Sequence, residues 1–374
     1  MRLPAIFYIS FSLFLSLFSY LFIDPNFIYL KDFYTGFAFR ERGVVTFVYL
    51  FLIIGFFSSY IIFLKQYKEV FNLFKKHKNV IAAVLLVLIS SYPAMLSYDI
   101  FNYVTTAKVT YSYLENPFVI MPIEFIGDPA LQFTHAANKL VLYGPVWVLL
   151  AAIPYLLALQ HYLIAVYFFK MFVAAFWIAL VWLIYKITKN IYSVIFFAAN
   201  PLVLIETFVS GHNDVVMMFL ALFALFLFKQ KRYILAVLFI IFSILIKYAT
   251  IFLLPLFVYY FIKRVQGRQI KWERVYMGGF LLMLLIFFLS PLRVEIYPWY
   301  AIWPLTFLAL IVDKKKAAGF IFIALCFGLM LRYIPYMYLG NHLGITPMIK
   351  ILVTFVPPIL LISYLKLKGE LKLR

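Results

Sequence analysis

The sequence predicts an all-α protein, a polytopic bundle of transmembrane helices with one sizeable loop outside the membrane. Of the 374 residues, 66% are hydrophobic and only 13% are charged. A soluble domain has far less apolar sequence. The apolar residues also fall in long runs, and a helix needs about 20 such residues to cross a bilayer. We therefore expect a single integral membrane domain over residues 1–374.

Hydrophobic runs predict twelve spans along the chain. The first begins directly after Arg2, is too long for the core of a signal peptide and lacks a small-residue cleavage site, so we expect it to be retained. The predicted spans cover residues 5–23, 44–64, 80–96, 162–185, 191–209, 214–228, 233–247, 249–262, 275–290, 300–312, 317–334 and 348–365.

Basic residues predict the orientation of these spans. With the N-terminus inside, most of the 33 lysines and arginines lie on the cytoplasmic side. They form clusters at 65–78, 186–189, 229–232, 263–274, 314–316 and 366–374. This is the positive-inside pattern, and it accounts for the net charge of +19 without nucleic acid as a partner. We expect a protein of the plasma (cytoplasmic) membrane, surrounded by its lipids.

Residues 141–159 are also hydrophobic enough to cross the bilayer. A thirteenth span there would place Lys186 and Lys189 outside and reverse every later cluster. We therefore expect a re-entrant or interfacial helix on the outer face, broken by Pro145 and Pro154. Such irregular backbone is tolerated where it lines a protein cavity.

The longest polar segment is an outer loop over residues 97–147, where we expect the chemistry. Asp99 stands where this loop leaves the bilayer. Its carboxylate is a candidate general base that accepts a proton from a substrate hydroxyl. The alternative is a helix cap or a solvated loop carboxylate.

Three further groups of polar residues lie on the outer side. His212, Asn213 and Asp214 follow Gly211 between two hydrophobic helices, as a functional cluster or as a turn with an N-cap. Lys247 either snorkels to the interface or binds a lipid phosphate. Arg293 either pairs with Glu295 or clamps a phosphate. The aromatic residues from Tyr297 to Trp303 form an interfacial belt and are able to stack on sugars.

Several sites are absent from the sequence. It contains no Gly-rich nucleotide fingerprint and no Asp-x-Asp pair, and its five histidines lack metal-ligand spacing. The lone Cys326 excludes a disulfide framework. We therefore expect no metal and no cofactor, and an outward-facing enzyme would need a donor that is already embedded in the membrane.

An ordered series of short motifs adds to this interpretation. The series is Asp99 with Tyr103, Asn116-Pro117, Tyr143-Gly144-Pro145 with Trp147, Asn200-Pro201 through Glu206, Gly211–Asp214, Ile246-Lys247-Tyr248 and Pro298-Trp299-Tyr300. Over residues 80–305 the chain resembles the GT-C superfamily of membrane glycosyltransferases. It is most similar to mannosyltransferases that use polyprenyl-phosphate mannose.

The resemblance implies an inverting sugar transfer on the outer face. By the resemblance, the donor is a polyprenyl-phosphate sugar, namely mannose, and the acceptor is a hydroxyl of a lipid, glycan or protein. Asp99 would be the base, and Lys247 with Arg293 would hold the donor phosphate. The implied substrate-binding residues are Tyr103, Asn116, Tyr143, His212, Asn213, Asp214, Trp299 and Tyr300.

Two other classes of protein remain open from the sequence. A secondary transporter also uses broken helices and intramembrane charges, but it should show internal repeats and a site near mid-membrane. An envelope-polymer ligase or polymerase would use a lipid-diphosphate donor. No repeat is visible in the sequence, and the polar residues gather at one face, which favours the glycosyltransferase.

Overall fold

A computed structural model describes residues 3–292 and 295–370, and within these ranges the chain is helical and contains no strand. The predicted all-α, polytopic fold is confirmed. The first nine helices are α1 Leu3–Ser19, α2 Phe37–Arg40, α3 Arg42–Lys65, α4 Tyr67–Lys76, α5 Lys78–Ser90, α6 Asp99–Tyr111, α7 Pro145–Leu157, α8 Tyr162–Thr188 and α9 Ile191–Ala198.

The second half of the chain continues in the same way. Its helices are α10 Pro201–Leu204, α11 Asp214–Lys229, α12 Tyr233–Ile244, α13 Leu254–Val265, α14 Trp272–Leu289, α15 Ile302–Leu308, α16 Lys316–Leu331, α17 Ile334–Leu339 and α18 Thr346–Leu367. Short 3-10 turns join several of them, and a π-helix over Ile205–Val209 extends α10.

Seven helices of the described chain are long and apolar enough to cross a membrane. They are Pro4–Phe22, Arg42–Lys65, Tyr162–Thr188, Tyr248–Val265, Trp272–Leu292, Lys316–Leu339 and Thr346–Leu367. The protein is therefore an integral membrane protein, but the predicted number of twelve spans is not confirmed. Helices α5, α7 and α12 are apolar but shorter than a full span.

The predicted span at 191–209 is bent rather than straight. Helix α9 and the stretch from Pro201 to Val209 meet at an angle of 54°. The cause is local: Asn200 caps the second helix by accepting from the backbone N–H of Leu202 (3.0 Å), and Pro201 cannot continue the first. The bend leaves the following polar residues at the end of a broken helix.

The segment over 97–147, which was predicted to be an outer loop, is partly helical, and the sequence did not indicate this. Helix α6 starts at Asp99 and packs against α7 and α8, so most of its residues are buried. The remaining part, 112–144, is a loop with two 3-10 turns. A salt bridge from Lys108 to Asp128 (2.6 Å) and a hydrogen bond from Tyr113 to Asp128 (2.9 Å) fasten this loop to α6.

The expected helix within 141–159 is present as α7, but its prolines do not break it. Pro145 occupies the first turn, where a backbone N–H would have no partner within the helix, so its absence costs nothing. Pro154 lies inside the helix. The N-terminus of α7 rests on the end of α12, because Gly144 donates to the carbonyl of Ile246 and Val146 to that of Leu245, both at 3.0 Å. A Cβ at Gly144 would lie 2.1 Å from the oxygen of Leu245, so only glycine fits.

Candidate active site

The polar centre is built on an irregular stretch of chain after the bent helix pair. The π-helix Ile205–Val209 contains Glu206, and Gly211 adopts a left-handed conformation with φ of 75° before α11 begins. The N–H of His212 donates to the carbonyl of Glu206 (2.9 Å). π-helical turns occur frequently at functional sites, because the extra residue changes the direction of the side chains. This geometry brings Glu206 and His212 together and turns them towards α6.

Three side chains form a line across this centre. Nδ1 of His212 lies 3.5 Å from Oδ2 of Asp99, and Nε2 of His212 lies 3.4 Å from Oε2 of Glu206. Both distances are longer than those of well-formed hydrogen bonds. His212 and Glu206 are fully buried, whereas the Asp99 side chain is 26% exposed. The line therefore runs from the interior to an accessible carboxylate.

Aromatic rings hold the imidazole of His212 in place. The ring of Trp299 stacks on it with 3.8 Å between centroids, and the ring of Tyr297 stacks on Trp299 with 4.5 Å between centroids. The hydroxyl of Tyr333 donates to Oε1 of Glu206 (2.9 Å). Tyr297 thus holds the Trp299 ring, and Tyr333 holds the Glu206 carboxylate, on either side of His212.

Asp214 has a different environment from Asp99. One of its oxygens accepts from Nε1 of Trp303 (2.6 Å), and the other accepts from Nζ of Lys247 (2.7 Å). Asp214 is fully buried. Lys247 is therefore not a snorkelling lysine without a partner; it forms an ion pair with a carboxylate 33 residues earlier in the chain. Because both oxygens of Asp214 are engaged, Asp99 is the better candidate base of the two.

The predicted aromatic residues surround this centre. Tyr103 contacts Tyr143 and Trp147 at centroid distances of 4.7 and 4.9 Å, and its hydroxyl accepts from the N–H of Asn213 (3.3 Å). Tyr300 stacks on Trp303 at 4.3 Å, and the ammonium of Lys247 lies 5.9 Å from the centre of its ring. These contacts gather residues of α6, of the loop 112–144 and of the 3-10 turn Pro298–Ala301 around one site.

Two predicted residues are not part of this cluster as described. Asn116 is exposed and accepts from the N–H of Phe118 (3.0 Å), which forms a turn in the outer loop. Arg293 lies outside the described residues. Glu295, the alternative partner predicted for Arg293, accepts from Arg332 (2.9 Å) and Lys350 (3.2 Å).

The sequence interpretation missed several residues of the centre. Glu206 appeared in a motif without a role, Trp303 was expected only in the aromatic belt, and Tyr333 and Lys170 were given no role. The signal for Glu206 and Lys170 was available, since an ionisable residue within a hydrophobic run is a functional candidate. Lys170 is fully buried on α8, donates to the carbonyl of Ser91 (2.6 Å) and lies against Gly211.

Buried polar atoms without a hydrogen-bond partner in the described chain concentrate in this region. They include the side-chain atoms of Tyr143, Trp147, Glu206 (Oε2), Ser210, His212 and Asn213. A buried polar atom without a partner costs about 1–3 kcal/mol, so such atoms rarely gather without a reason. Their arrangement suits a ligand rich in hydroxyl groups. Among the described residues, no three His, Cys, Asp or Glu side chains are placed to hold a metal ion.

The electrostatics of Asp99 agree with a role as a base. Asp99 is the first residue of α6, with Tyr98 as its N-cap, and lies outside the spans. Burial raises the pKa of its carboxyl, but His212 and the charge of Lys247 lower the pKa by more, so that it lies below its ordinary value. Asp99 is therefore ionised at neutral pH and able to accept a proton.

Comparison with known families shows the family of the chain. A family model described as the alpha-(1->6)-mannopyranosyltransferase N-terminal domain, of the MptA_B family, matches residues 28–263, more than half of the chain. The chain belongs to this mannosyltransferase family. The predicted resemblance to membrane mannosyltransferases is thereby confirmed. No curated protein and no solved structure shows significant similarity to the chain.

Membership of the mannosyltransferase family indicates the general reaction of the protein. The protein is a glycosyltransferase that moves mannose from a sugar donor to an acceptor. Asp99, Glu206, His212, Asp214 and Lys247 all fall within the matched residues. The aromatic and hydroxyl groups that hold them, from Trp299, Trp303 and Tyr333, come from beyond the match. The polar centre is thus completed by the C-terminal part of the chain.

Proposed function

We propose that the protein is an inverting mannosyltransferase that acts at the outer face of the plasma membrane. It transfers mannose from polyprenyl-phosphate mannose to a hydroxyl group of a lipid, glycan or protein acceptor. The observation that supports this most is the contrast among three carboxylates: Glu206 and Asp214 are fully buried, and Asp99 alone of the three is partly exposed.

One available carboxylate favours a single displacement. A retaining, double displacement needs a carboxylate nucleophile in addition to an acid–base group. In the inverting reaction, Asp99 removes the proton from the acceptor hydroxyl. The acceptor oxygen forms a bond to the anomeric carbon as the bond from that carbon to the phosphate oxygen breaks. The polyprenyl phosphate leaves with the electron pair of that bond.

The family description names an alpha-(1->6) linkage. We propose this linkage for the product as well. An inverting reaction that gives an alpha linkage requires a donor in which mannose is beta-linked to the phosphate. The acceptor oxygen would then be a primary hydroxyl, which is well exposed on a sugar and reaches a base at the membrane interface.

Lys247 and Arg293 are our candidates for holding the donor phosphate. The ammonium of Lys247 has three protons, and the salt bridge to Asp214 uses one of them. The phosphate gains negative charge as the glycosidic bond breaks, so contacts with these cations strengthen in the transition state. Asp214 and Trp303 keep the ammonium in a fixed position while it does so.

The remaining predicted residues are candidates for binding the sugars. Tyr143 and Asn213 carry buried polar atoms without protein partners, and the rings of Trp299 and Tyr300 belong to the same site. Sugars bind well to such a mixture of polar atoms and aromatic rings. Tyr103 supports Asn213 through its hydroxyl, and Asn116 shapes the outer loop through its turn.

The test is an assay of the purified protein with a short-chain polyprenyl-phosphate mannose and native lipid or glycan acceptors. Asp99→Asn preserves shape but cannot accept the proton, so transfer should fall by about 10²–10⁴-fold, the usual scale of general-base catalysis. Glu115→Gln, on an exposed side chain of the same loop, is the matched control and should leave transfer unchanged. Near-normal turnover of Asp99→Asn would refute the assignment of the base.

The same assay separates the two remaining classes of function. A lipid-diphosphate mannose analogue as the better donor would favour a ligase or polymerase. Uptake of a sugar without formation of a glycosidic bond would favour a transporter.

A further inference from the structure

The line of Asp99, His212 and Glu206 places an imidazole between two carboxylates. Each nitrogen of His212 faces one carboxylate oxygen, at 3.5 Å on the Asp99 side and 3.4 Å on the Glu206 side. The imidazole is fully buried, and Trp299 stacks on its face. Its two nitrogens therefore have these carboxylates as their polar neighbours.

Counting protons shows what this arrangement requires. An imidazole nitrogen and a carboxylate oxygen that face each other need one proton between them, because otherwise two lone pairs meet. The line has two such junctions and so needs two protons. If Asp99 is ionised, one of these protons is on Nδ1. The other lies between Nε2 and Glu206, whose position Tyr333 fixes.

We infer that His212 is a positioning residue that donates from Nδ1 to Oδ2 of Asp99, and that buried Glu206 keeps it in this protonation state. This inference rests on the proposed role of Asp99 as the base. It assigns Oδ1 of Asp99 to the acceptor hydroxyl, since Oδ2 is engaged by His212. Neither His212 nor Glu206 has to touch the substrate for this purpose.

The proposed arrangement also keeps the reaction balanced. The proton of the acceptor hydroxyl goes to Oδ1 of Asp99, while the proton on Nδ1 of His212 stays where it is. Asp99 becomes neutral, and the negative charge moves to the leaving phosphate. After product release Asp99 loses its proton to water, and the protons held by His212 and Glu206 are the same as at the start.

Other titratable groups face this line from the helices around it. They are Tyr49, Tyr103, Tyr143, Asp214, Lys247, Tyr297 and Tyr333. Tyrosines titrate far above neutral pH, and Asp214 and Lys247 pair with each other. The groups that exchange protons within this line are therefore Asp99, His212 and Glu206 themselves.

The first test is the pH dependence of kcat/KM for Glu206→Gln. The amide has the size of the carboxyl group but no charge, so the Nδ1 proton is held towards Asp99 less firmly and the hydrogen bond to Asp99 weakens. The acidic limb of the profile should move to higher pH by about one unit, the scale of one charged neighbour. A lower rate with an unmoved acidic limb would mean that Glu206 is merely structural, and the inference would be wrong.

The second test does not depend on whether that variant folds. The amide of an asparagine lies where Nδ1 of a histidine lies, and that of a glutamine lies nearer to Nε2. His212→Asn should therefore keep a donor for Asp99 and retain about tenfold more activity than His212→Gln. Equal or reversed activities of the two variants would overturn the inference. If Asp99→Asn also kept full activity, the proposed function itself would fail, which is a different outcome.

Discussion

Tyr333 donates a hydrogen bond of 2.9 Å to Glu206, a residue 127 positions earlier in the chain. Glu206 lies within the region matched by the family model, and Tyr333 lies beyond it. A buried carboxylate of the polar centre therefore depends on a hydroxyl from the C-terminal helices. This contact can be tested by removing one oxygen atom.

Tyr333→Phe should destabilise the protein by about 1–3 kcal/mol, because a buried carboxyl group loses a hydrogen bond. The measurement is thermal unfolding in detergent. Tyr336→Phe is the control, because Tyr336 is partly exposed and stacks on His342. Similar melting temperatures for the two variants would show that the Tyr333 hydroxyl adds nothing to stability.

The ion pair of Lys247 and Asp214 makes a prediction about coupling. Lys247→Met leaves a buried carboxylate without its cation, which should cost about 3–5 kcal/mol. Adding Asp214→Asn should recover much of this stability, since no buried charge then remains. The measurement is unfolding of both single variants and the double variant. Additive losses would mean that the two groups do not interact.

The same double variant separates stability from phosphate binding. If Lys247 also holds the donor phosphate, the stabilised double variant should still show a lower rate at saturating donor. Restored activity would instead show that Lys247 acts only through Asp214.

Arg293→Met should weaken donor binding and lower the rate at saturating donor by about tenfold, since a hydrogen bond to a charged group contributes about 1.5–3 kcal/mol. Arg293→Lys should rescue only partly, because an ammonium cannot reproduce the two parallel bonds of a guanidinium. Steady-state kinetics with varied donor measure both effects. Lys139→Met, at an exposed lysine of the outer loop, is the control and should behave as the wild type.

The orientation predicted from the charge clusters can be checked by cysteine labelling. Asn138→Cys, in the outer loop, should react with a membrane-impermeant maleimide in intact cells, and Asn72→Cys should not. Both positions are exposed, and the natural Cys326 is buried, so it contributes little background. The opposite labelling pattern would place Asp99 at the cytoplasmic face and remove the proposed mechanism.

The attachment of the outer loop should depend on pH in a defined direction. Burial raises the pKa of Asp128, but hydrogen bonds from Lys108, Ala130 and Tyr113 lower the pKa by more, so that it is below its ordinary value. A lowered pKa stabilises the folded loop above the pKa of the unfolded state, and this contribution is lost as the pH falls through the folded-state pKa. The wild-type loop should therefore resist proteolysis at neutral pH and lose this resistance below about pH 4. Asp128→Asn should be cleaved faster already at neutral pH, and equal cleavage rates there would contradict the prediction.

The sequence was sufficient for the class of fold and for the neighbourhood of the site. Long apolar runs predicted the helices, and the motifs at Asp99, Gly211–Asp214, Lys247 and Trp299 do meet in space. The number of spans could not be predicted in the same way. A run such as 191–209 has the composition of one straight span, but the Asn200-Pro201 pair bends it, and hydropathy does not register a bend.

The sequence also could not predict which side chains from distant helices pair with each other. Lys247 has no acidic neighbour in the chain, and its partner Asp214 is brought to it by the packing of α11 against α12. The contact between Glu206 and His212 depends on a π-helix and on a glycine in the left-handed conformation. Neither can be predicted reliably from the local sequence. Pairing across helices is determined by side-chain packing, which a single sequence does not show.

The seat of α7 on the end of α12 has a consequence for substrate selection. Gly144 and Val146 bond to carbonyls of Leu245 and Ile246, so the contact uses main-chain atoms alone. Tyr143 and Lys247 each lie one residue from this junction. The spacing of the main chain at these two residues is thus set by backbone hydrogen bonds. We expect this fixed spacing to limit the size of sugar that the enzyme accepts, and only glycine to be tolerated at 144.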